Sequence, residues 1–299
     1  MARSANARSP HGQDHLHAPR LWSVRADARR QRSDRLSFPM TNWLLGAFAF
    51  VGNRTVSGLQ GMGRAWGLFL GATASIRNVD VWLPHLLPQM ARVGVASVPI
   101  ALFIATFTGI VMSLQASYTL TGAIPVYFVG TLVGKTMILE LGPVLTALTL
   151  AGRVGANISA ELGTMRVTEQ VDALETLAYD PLAYLVVPRV FAAVFMFPIV
   201  VLLAIGIGIA SGWFTALQLL DMSSPEFVKG LRLFFEPWDV WFAVIKSVSF
   251  GAVVTGVGCY FGLQTERGAE GVGRSATRTV VVASMLILCL DAFWATVLL

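Results

Sequence analysis

Two long stretches of the chain contain no charged residue, and they restrict its fold more than any other feature. They run from Val93 to Gly134 and from Val190 to Leu220. A helix needs about 20 apolar residues to cross about 30 Å of hydrocarbon, so each stretch is long enough to span a bilayer. Only 13% of the 299 residues are charged, whereas about 25% is usual in soluble domains. The sequence therefore predicts an all-α, polytopic membrane protein.

Five membrane-spanning helices are predicted from the apolar runs and from the turn residues between them. Asp180-Pro181, Ser224-Pro225-Glu226 and Glu236-Pro237 combine a capping residue with a first-turn proline, which is typical of helix starts. Gly142-Pro143 is expected to interrupt the second span, because proline has no backbone donor. A polar loop at 264–279 is expected before the fifth span. The predicted spans are 92–115, 126–160, 181–217, 240–262 and 280–299.

The part of the chain before these spans divides into two regions. Residues 1–37 are polar and Arg-rich, without the apolar core of a secretory signal, and are predicted to be a disordered cytoplasmic tail. Residues 38–90 are predicted to contain an amphipathic helix that lies in the membrane interface, or else packs as an ordinary amphipathic helix. Residues 91–299 form the predicted permease domain. The apolar stripe of that helix consists of Val56, Leu59, Met62, Trp66, Leu70, Thr73 and Ile76.

The distribution of basic residues predicts the orientation, because Lys and Arg concentrate on the cytoplasmic side. With the N-terminus inside, only Lys229 and Arg232 remain in an outer loop, and an odd number of spans places the C-terminus outside. The net charge of +5 is therefore assigned to orientation and not to nucleic-acid binding. The cytoplasmic ends carry the basic tail together with Arg153, Arg166, Arg189, Arg267, Arg274 and Arg278.

Cofactor and nucleotide sites are not expected. Cys259 and Cys289 both fall in apolar runs, without the spacing of a metal site or a disulfide framework. The segment from Gly130 to Thr136 resembles a phosphate-binding loop, but it has three residues between its glycines where that loop needs four. The chain is therefore expected to be no enzyme, and any ATP would be hydrolysed by another subunit.

Small residues recur along the second span at the spacing of one helical turn. Gly130 and Gly134 form one such pair. Small side chains at this spacing let helix backbones approach closely in lipid. The second span is therefore predicted to pack tightly against another helix. A longer series follows at Ala147, Ala151, Gly155, Ser159 and Gly163.

Glu140, Lys246 and Asp291 are charged residues inside predicted spans, where isolated charges are costly. Glu140 precedes the expected kink, and its role is either in a substrate pathway or in a structural ion pair. Lys246 and Asp291 lie about 9 Å and about 12 Å from the outer ends of their spans, at 1.5 Å per residue. Equal depth predicts an ion pair between them; the alternative is that Lys246 snorkels outward while Asp291 bonds a hydroxyl.

The segment 163–175 follows the second span and has an amphipathic pattern. Met165, Val167, Val171, Leu174 and Ala178 are predicted to line one side of a short helix, with polar residues opposite. Such a helix can dock into a partner's groove, or it can lie on the membrane surface.

Five runs of residues together carry a resemblance to a known family. They are Glu140-Leu-Gly-Pro-Val-Leu-Thr-Ala-Leu, Ala151-Gly-Arg-Val-Gly-Ala, Ala160-Glu-Leu-Gly-Thr-Met-Arg-Val-Thr-Glu-Gln-Val-Asp-Ala-Leu, Asp180-Pro-Leu and Gly268-Ala-Glu-Gly-Val-Gly-Arg-Ser-Ala-Thr-Arg-Thr-Val. On these runs the chain resembles the MlaE/YrbE permeases of MCE-type lipid transporters, and the resemblance covers roughly residues 54–299.

The resemblance implies a homodimeric permease in the bacterial inner membrane, with ABC ATPase subunits inside and an MCE-domain lipid-binding protein outside. It implies phospholipid or another hydrophobic lipid as cargo, held by the first two spans; Leu114, Leu139 and Glu140 are the expected lipid-binding positions. Some relatives have a basic residue where this chain has Leu139, so a phosphate contact is not expected there. The implied ATPase-coupling residues are Arg166, Glu169, Gln170, Asp172, Leu174 and Glu175.

Two other functions are compatible with a polytopic chain. A stand-alone ion-coupled carrier could use Glu140, Lys246 and Asp291, although such carriers often show inverted repeats and none is recognisable in this sequence. An integral membrane lipid-modifying enzyme would need a nucleophile with a base, or a cluster of metal ligands, in a loop. Neither arrangement is recognisable in the sequence.

Overall fold

The computed structural model describes residues 60–61, 63–120, 125–220, 222–266 and 268–298. The predicted tail at 1–37 lies outside these residues, as does the first part of the predicted interfacial region. Residues 63–299 belong to one compact unit. All regular elements among the described residues are helices, which confirms the all-α class.

Five helical stretches among the described residues are long and apolar enough to cross a membrane, as predicted. They are α2 with α3, and then α4, α6, α8 and α9. Shorter helices lie before and between them. In chain order the helices are α1 (63–75), α2 (Val79–Val93), α3 (Val98–Thr119), α4 (Phe128–Val167), α5 (Gln170–Thr176), α6 (Leu182–Leu219), α7 (Ser224–Leu233), α8 (Pro237–Leu263) and α9 (Gly268–Leu298).

The first span bends where α2 meets α3. Val95–Ser97 form one 3-10 turn, and Pro99 occupies the first turn of α3, where its missing N–H leaves no hydrogen bond unmade. A Cβ atom at Gly94 would lie 2.1 Å from the Met196 side chain, so α6 approaches the backbone closely at the bend. The first span begins at Val79, well before the predicted start at 92. The predicted boundary between the interfacial region and the permease domain, after residue 90, falls inside α2.

The second span, α4, continues through Gly142-Pro143 without the interruption that was predicted. A π-helical segment, Met137–Leu141, lies directly before the proline, and a second one lies at Ala151–Gly155. The wider π turn changes the hydrogen-bond pattern where proline supplies no donor, so the helix accommodates Pro143 without ending. Such segments are frequent at functional sites.

The small residues of α4 are sites of close helix packing, as predicted. A Cβ atom at Gly130 would lie 2.3 Å from the Phe227 carbonyl oxygen, and one at Gly134 would lie 2.3 Å from the Leu231 side chain. Both contacts are to α7, a short helix between spans. Gly130 and Gly134 both lie inside the helical stretch Phe128–Thr136. The buried small residues that follow are Ala147, Ala151, Gly155, Ser159 and Gly163.

The predicted polar loop at 264–279 is wrong in extent, because α9 already begins at Gly268. Its polar residues are accommodated within the helix. Glu270 and Arg274 form an exposed i,i+4 pair at 2.6 Å, while the Thr279 hydroxyl is buried and donates to the backbone one turn earlier. A high polar content at this end of the span was misread as a loop.

The predicted single short helix after the second span is also wrong, because the chain breaks between α4 and α5. Glu169 adopts a left-handed conformation with φ 60°, and Ala178 does so with φ 59° at the other end of α5. Non-glycine residues adopt this region infrequently. These two residues set α5 off from α4 and from α6, so Met165 and Val167 belong to a different helix from Val171.

The three predicted helix starts are present. Asp180 Oδ1 accepts a hydrogen bond from the Leu182 backbone at 2.9 Å. Ser223 and Glu226 form a capping box at the start of α7, and Glu236 forms one with Asp239 at the start of α8. Each box satisfies backbone donors that the first turn of a helix leaves free.

Candidate functional site

Lys246 lies on α8 with its side chain fully buried, at 0% exposure. Its neighbours Phe242, Ala243 and Phe250 are also buried and apolar, and Lys246 Nζ lies 4.7 Å from the centre of the Phe242 ring. An ammonium group in such surroundings must find acceptors, because an unpaired charge in hydrocarbon is costly.

The acceptors come from α4 and α9. Lys246 Nζ donates to Glu140 Oε2 at 3.1 Å and forms a salt bridge with Asp291. The contact predicted between Lys246 and Asp291 is therefore present, and Glu140 is added to it. We call Lys246, Glu140 and Asp291 the Lys246 cluster. The alternative in which Lys246 snorkels outward does not occur in this structure.

The local structure of α4 explains why Glu140 reaches Lys246. Pro143 has no N–H to donate to the carbonyl of Leu139, its α-helical acceptor four residues earlier. Lys246 Nζ donates to that carbonyl at 3.0 Å. The proline and the π segment thus expose a backbone acceptor beside Glu140, and the lysine uses both.

Hydrogen bonds between α8 and α9 lie next to the Lys246–Asp291 contact. Trp294 Nε1 donates to the Ser249 hydroxyl at 3.0 Å, and that hydroxyl donates to the Lys246 carbonyl at 2.7 Å. The Trp294–Ser249 hydrogen bond thus joins α9 to α8 about one helical turn from Asp291 and Lys246, and it keeps these two residues side by side.

The Lys246 cluster has one amine for two carboxylates, so it carries an excess of negative charge when all three groups are ionised. Its members differ in exposure: Lys246 is at 0%, the Asp291 side chain at 19% and the Glu140 side chain at 40%. Glu140 is consequently the polar group that this cluster presents at the surface of the spans. A molecule next to α4 would meet a carboxylate whose position is fixed by a buried lysine.

Leu139 and Leu114, the other two predicted lipid-binding residues, are placed differently. Leu139 is half-buried and contributes its carbonyl to the Lys246 cluster. Leu114 is exposed on α3, outside the cluster. It belongs to an apolar stripe that repeats every three or four residues and also contains Phe103, Phe107, Val111 and Tyr118.

The predicted coupling residues lie on and around α5. Val171 is buried and Leu174 is partly buried against the same core, so this face attaches α5 to the spans. Arg166 forms a salt bridge with Asp172, which ties α5 back to the end of α4. Leu177 and Tyr179 follow α5 with large exposed surfaces, and they were missed because neither fits the predicted apolar side. The predicted coupling residues that are exposed are Glu169, Gln170, Asp172 and Glu175.

A second group of charges lies at the end of the spans near α5. Glu161 Oε1 is 3.3 Å from Arg92 Nη1 and 3.1 Å from Arg189 Nη2. Arg189 is buried, with its side chain at 3% exposure, and it also donates to the Leu185 carbonyl. We call Glu161, Arg92 and Arg189 the Glu161 cluster. Arg153 lies nearby and donates to the Ser97 hydroxyl at 2.6 Å.

A further ion pair, between partly buried Lys135 and buried Asp239, was not predicted. Lys135 Nζ contacts both Asp239 oxygens, at 2.9 Å and 2.8 Å. Asp239 also accepts from the Glu236 backbone, so one carboxylate caps α8 and fixes α4 against it. The sequence signal was available, since Lys135 ends a long charge-free run and Asp239 follows a helix start.

Comparison with protein families identifies the architecture that holds these clusters. Residues 86–297 match the family model described as Permease MlaE. The chain belongs to the MlaE permease family. Both charged clusters and α5 lie inside the matched region.

Individual relatives agree with this MlaE assignment. A probable ABC transporter permease protein of Rickettsia felis is 39% identical over 239 residues, covering 80% of this chain and 92% of its own. One from Synechocystis is 41% identical over 210 residues, covering 70% and 80%. The intermembrane phospholipid transport system permease protein MlaE of Haemophilus influenzae is 34% identical over 242 residues, covering 81% and 93%.

Proposed function

We propose that this MlaE-family chain is the permease subunit of an ABC transporter that moves phospholipid or another hydrophobic lipid between membranes. The observation that carries the proposal is the exposed Glu140 carboxylate, held by a buried lysine within otherwise apolar spans. Apolar walls with a few fixed polar groups suit an amphiphile. The Haemophilus relative, named for phospholipid transport, supports the cargo class.

The cargo site lies between the first two spans. The acyl chains of a lipid would lie along the exposed stripe of α3 that contains Leu114, and a polar part of the lipid would meet Glu140. Hydroxyl or ammonium groups of a headgroup can donate to a carboxylate, whereas a phosphate is repelled by it. Glu140 thus selects for the donor part of the headgroup, in keeping with the absence of a basic residue at Leu139.

Movement of the spans is driven by a partner ATPase that docks on α5. The acidic face formed by Glu169, Asp172 and Glu175 is exposed, while Val171 anchors the helix to the core. A helix attached to the spans on one face and free on the other can transmit the motion of a docked subunit. The name ABC transporter permease, which the Rickettsia relative carries, supports such a partner.

The assembly that we propose is a homodimer in the bacterial inner membrane with an MCE-domain protein on the outer side. The apolar side of α9 supports a second copy as its partner, because most of it is exposed within one chain. Aromatic residues are enriched in protein–protein interfaces. A partner on the outer side is supported by the exposed aromatic residues near the start of α8, which are Phe234, Phe235, Trp238 and Trp241.

Photo-crosslinking in the assembled transporter tests the cargo site. A photoreactive residue at Leu114 or Leu139 is expected to capture lipid, and the capture is expected to fall when ATP and the partner ATPase drive turnover. The matched control is Leu203, an exposed apolar residue on α6, where captured bilayer lipid should not respond to ATP. Capture that is equal and ATP-independent at all three positions would contradict the proposal.

One observation favours a second candidate, the stand-alone ion-coupled carrier. The Lys246 cluster has a carboxylate in excess, which is a suitable place for a proton or cation. In that case transport by the purified chain would need no ATPase and would follow an imposed ion gradient. Lipid movement that requires the ATPase and is insensitive to the gradient excludes this candidate.

A further inference from the structure

A groove that contains several charged side chains lies between the first two spans at the end near α5, away from the Lys246 cluster. It has a volume of about 390 Å³ and is lined by Arg92 and Ala96 from the first span and by Arg153, Asn157 and Glu161 from α4, among others. We call it the arginine groove. Its volume is within the range of small-molecule sites, about 300–1,000 Å³.

The charges around the groove do not balance. Glu161 already contacts both Arg92 and Arg189, so it is shared by two guanidinium groups. Arg153 donates to the neutral Ser97 hydroxyl, and no carboxylate among the described residues forms an ion pair with it. Arg189 is buried, and its Nε has no hydrogen-bond partner in the described part of the chain. The groove therefore carries an excess of positive charge.

The position of Arg153 along α4 matches the headgroup level of a bilayer. Lys135 and Arg153 are separated by about 27 Å along the helix, at 1.5 Å per residue. The hydrocarbon layer is about 30 Å thick, so the two cations lie close to its opposite faces. Arg92 and Arg189 directly precede the two long charge-free runs, which places them on the same side as Arg153. The groove thus opens where lipid headgroups lie.

We infer that the arginine groove binds the phosphate of an anionic lipid headgroup from the leaflet on the α5 side. A guanidinium presents several donors in a plane and binds phosphate oxygens in pairs. Arg153 supplies unused donors, Arg92 adds charge at the rim, and Asn157 offers an amide to the headgroup. This site is separate from the proposed cargo site, since Glu140 lies about 20 Å away along α4.

Native mass spectrometry of the purified full chain tests the inference. The chain is titrated with phosphatidylglycerol or with phosphatidylcholine of the same acyl composition. Phosphatidylglycerol is expected to be retained about tenfold more tightly, and Arg153→Gln is expected to remove this preference. The matched control, Arg232→Gln, changes an exposed arginine on α7 and should leave it intact. A wild-type chain without the preference, or Arg153→Gln that keeps it, would overturn the inference.

A second variant covers the case in which Arg153→Gln does not fold. Ala96→Phe fills the groove without altering any charge and should abolish the preference, whereas Leu203→Phe, an equally neutral change at an exposed residue of α6 outside the groove, should preserve it. Displacement of the lipid by millimolar inorganic phosphate would assign the groove to free phosphate and overturn the lipid assignment. Loss of dimerisation in Arg153→Gln with unchanged lipid retention would assign Arg153 to a carboxylate of a second copy instead.

Discussion

The Lys246 cluster and the Glu161 cluster combine acidic and basic side chains in opposite proportions. In the first, one fully buried cation is shared by two carboxylates. In the second, one half-exposed carboxylate is shared by two arginines, of which Arg189 is buried and Arg92 is exposed. The first leaves negative charge inside the spans, and the second leaves positive charge at their end. Because burial sets the energy of an unpaired charge, the two clusters should respond differently to the loss of one member.

Lys246→Met should cause the largest loss of stability, because it leaves two carboxylates in apolar surroundings without their cation. Removing one member of a buried ion pair costs about 3–5 kcal/mol, and folded yield in detergent should fall accordingly. Lys246→Met combined with Asp291→Leu should recover part of the loss, since only the more exposed Glu140 then remains unpaired. A double variant no better than the sum of the two single changes would exclude a direct interaction.

Glu161→Gln should have an intermediate effect, because it takes the charged partner from buried Arg189. The expected loss is about 1–3 kcal/mol, the range for leaving a buried polar group poorly satisfied. Arg92→Gln changes an exposed member of the same cluster, and such surface pairs contribute at most about 1 kcal/mol. Thermal unfolding in one detergent compares the two. An Arg92→Gln effect as large as that of Glu161→Gln would mean that burial does not distinguish these arginines.

Reversing charges on α5 should leave folding intact while affecting coupling, because Glu169 and Asp172 are exposed and the Arg166–Asp172 pair that is lost contributes at most about 1 kcal/mol. Glu169→Lys with Asp172→Lys should weaken association with the partner ATPase, or separate ATP hydrolysis from lipid movement. Glu270→Lys, an exposed reversal at the start of α9, is the matched control. Unchanged transport together with wild-type ATPase binding in the double variant would refute a coupling role for α5.

The smallest effect is expected at Glu226, an exposed carboxylate outside the spans. Hydrogen bonds from the Ser223 hydroxyl and backbone lower the pKa of Glu226. A lowered pKa means that the ionised cap stabilises α7 above the ordinary glutamate pKa and that this contribution disappears as pH falls through the lowered value. The protection of the first turn of α7 against hydrogen exchange, relative to the intrinsic exchange rate at each pH, should therefore decrease at acidic pH in the wild type. In Glu226→Gln the same turn should show no such pH dependence.

The sequence was sufficient for features that depend on periodicity and depth. Apolar runs and the turn residues between them predicted five spans, and helical spacing predicted the small-residue contacts of α4. The pairing of Lys246 with Asp291 was predictable because their depths, counted from the outer ends of two adjacent spans, are similar. Helix starts were also predictable, since capping depends on a few neighbouring residues.

Other features depend on contacts that no local pattern contains. The pairing of Glu140 with Lys246 requires the π segment before Pro143, which changes the helix register by an amount that the sequence does not show. The start of α9 was misplaced because buried Thr279 and the exposed pair Glu270–Arg274 are equally polar in sequence. The Glu161 cluster joins three helices that are far apart in the chain. The sequence could therefore place its members at the same end of the spans, but it could not predict that they touch.

We propose that Glu140 meets the cargo while Asp291 serves the structure, and lipid transfer by the reconstituted complex tests this assignment most directly. Glu140→Gln retains an oxygen that can accept from Lys246, so the protein should fold. Its ATP-driven transfer of a fluorescent phospholipid between vesicles should fall about tenfold, the equivalent of about 1.4 kcal/mol. Transfer at the wild-type rate by a folded Glu140→Gln complex would contradict this role of Glu140.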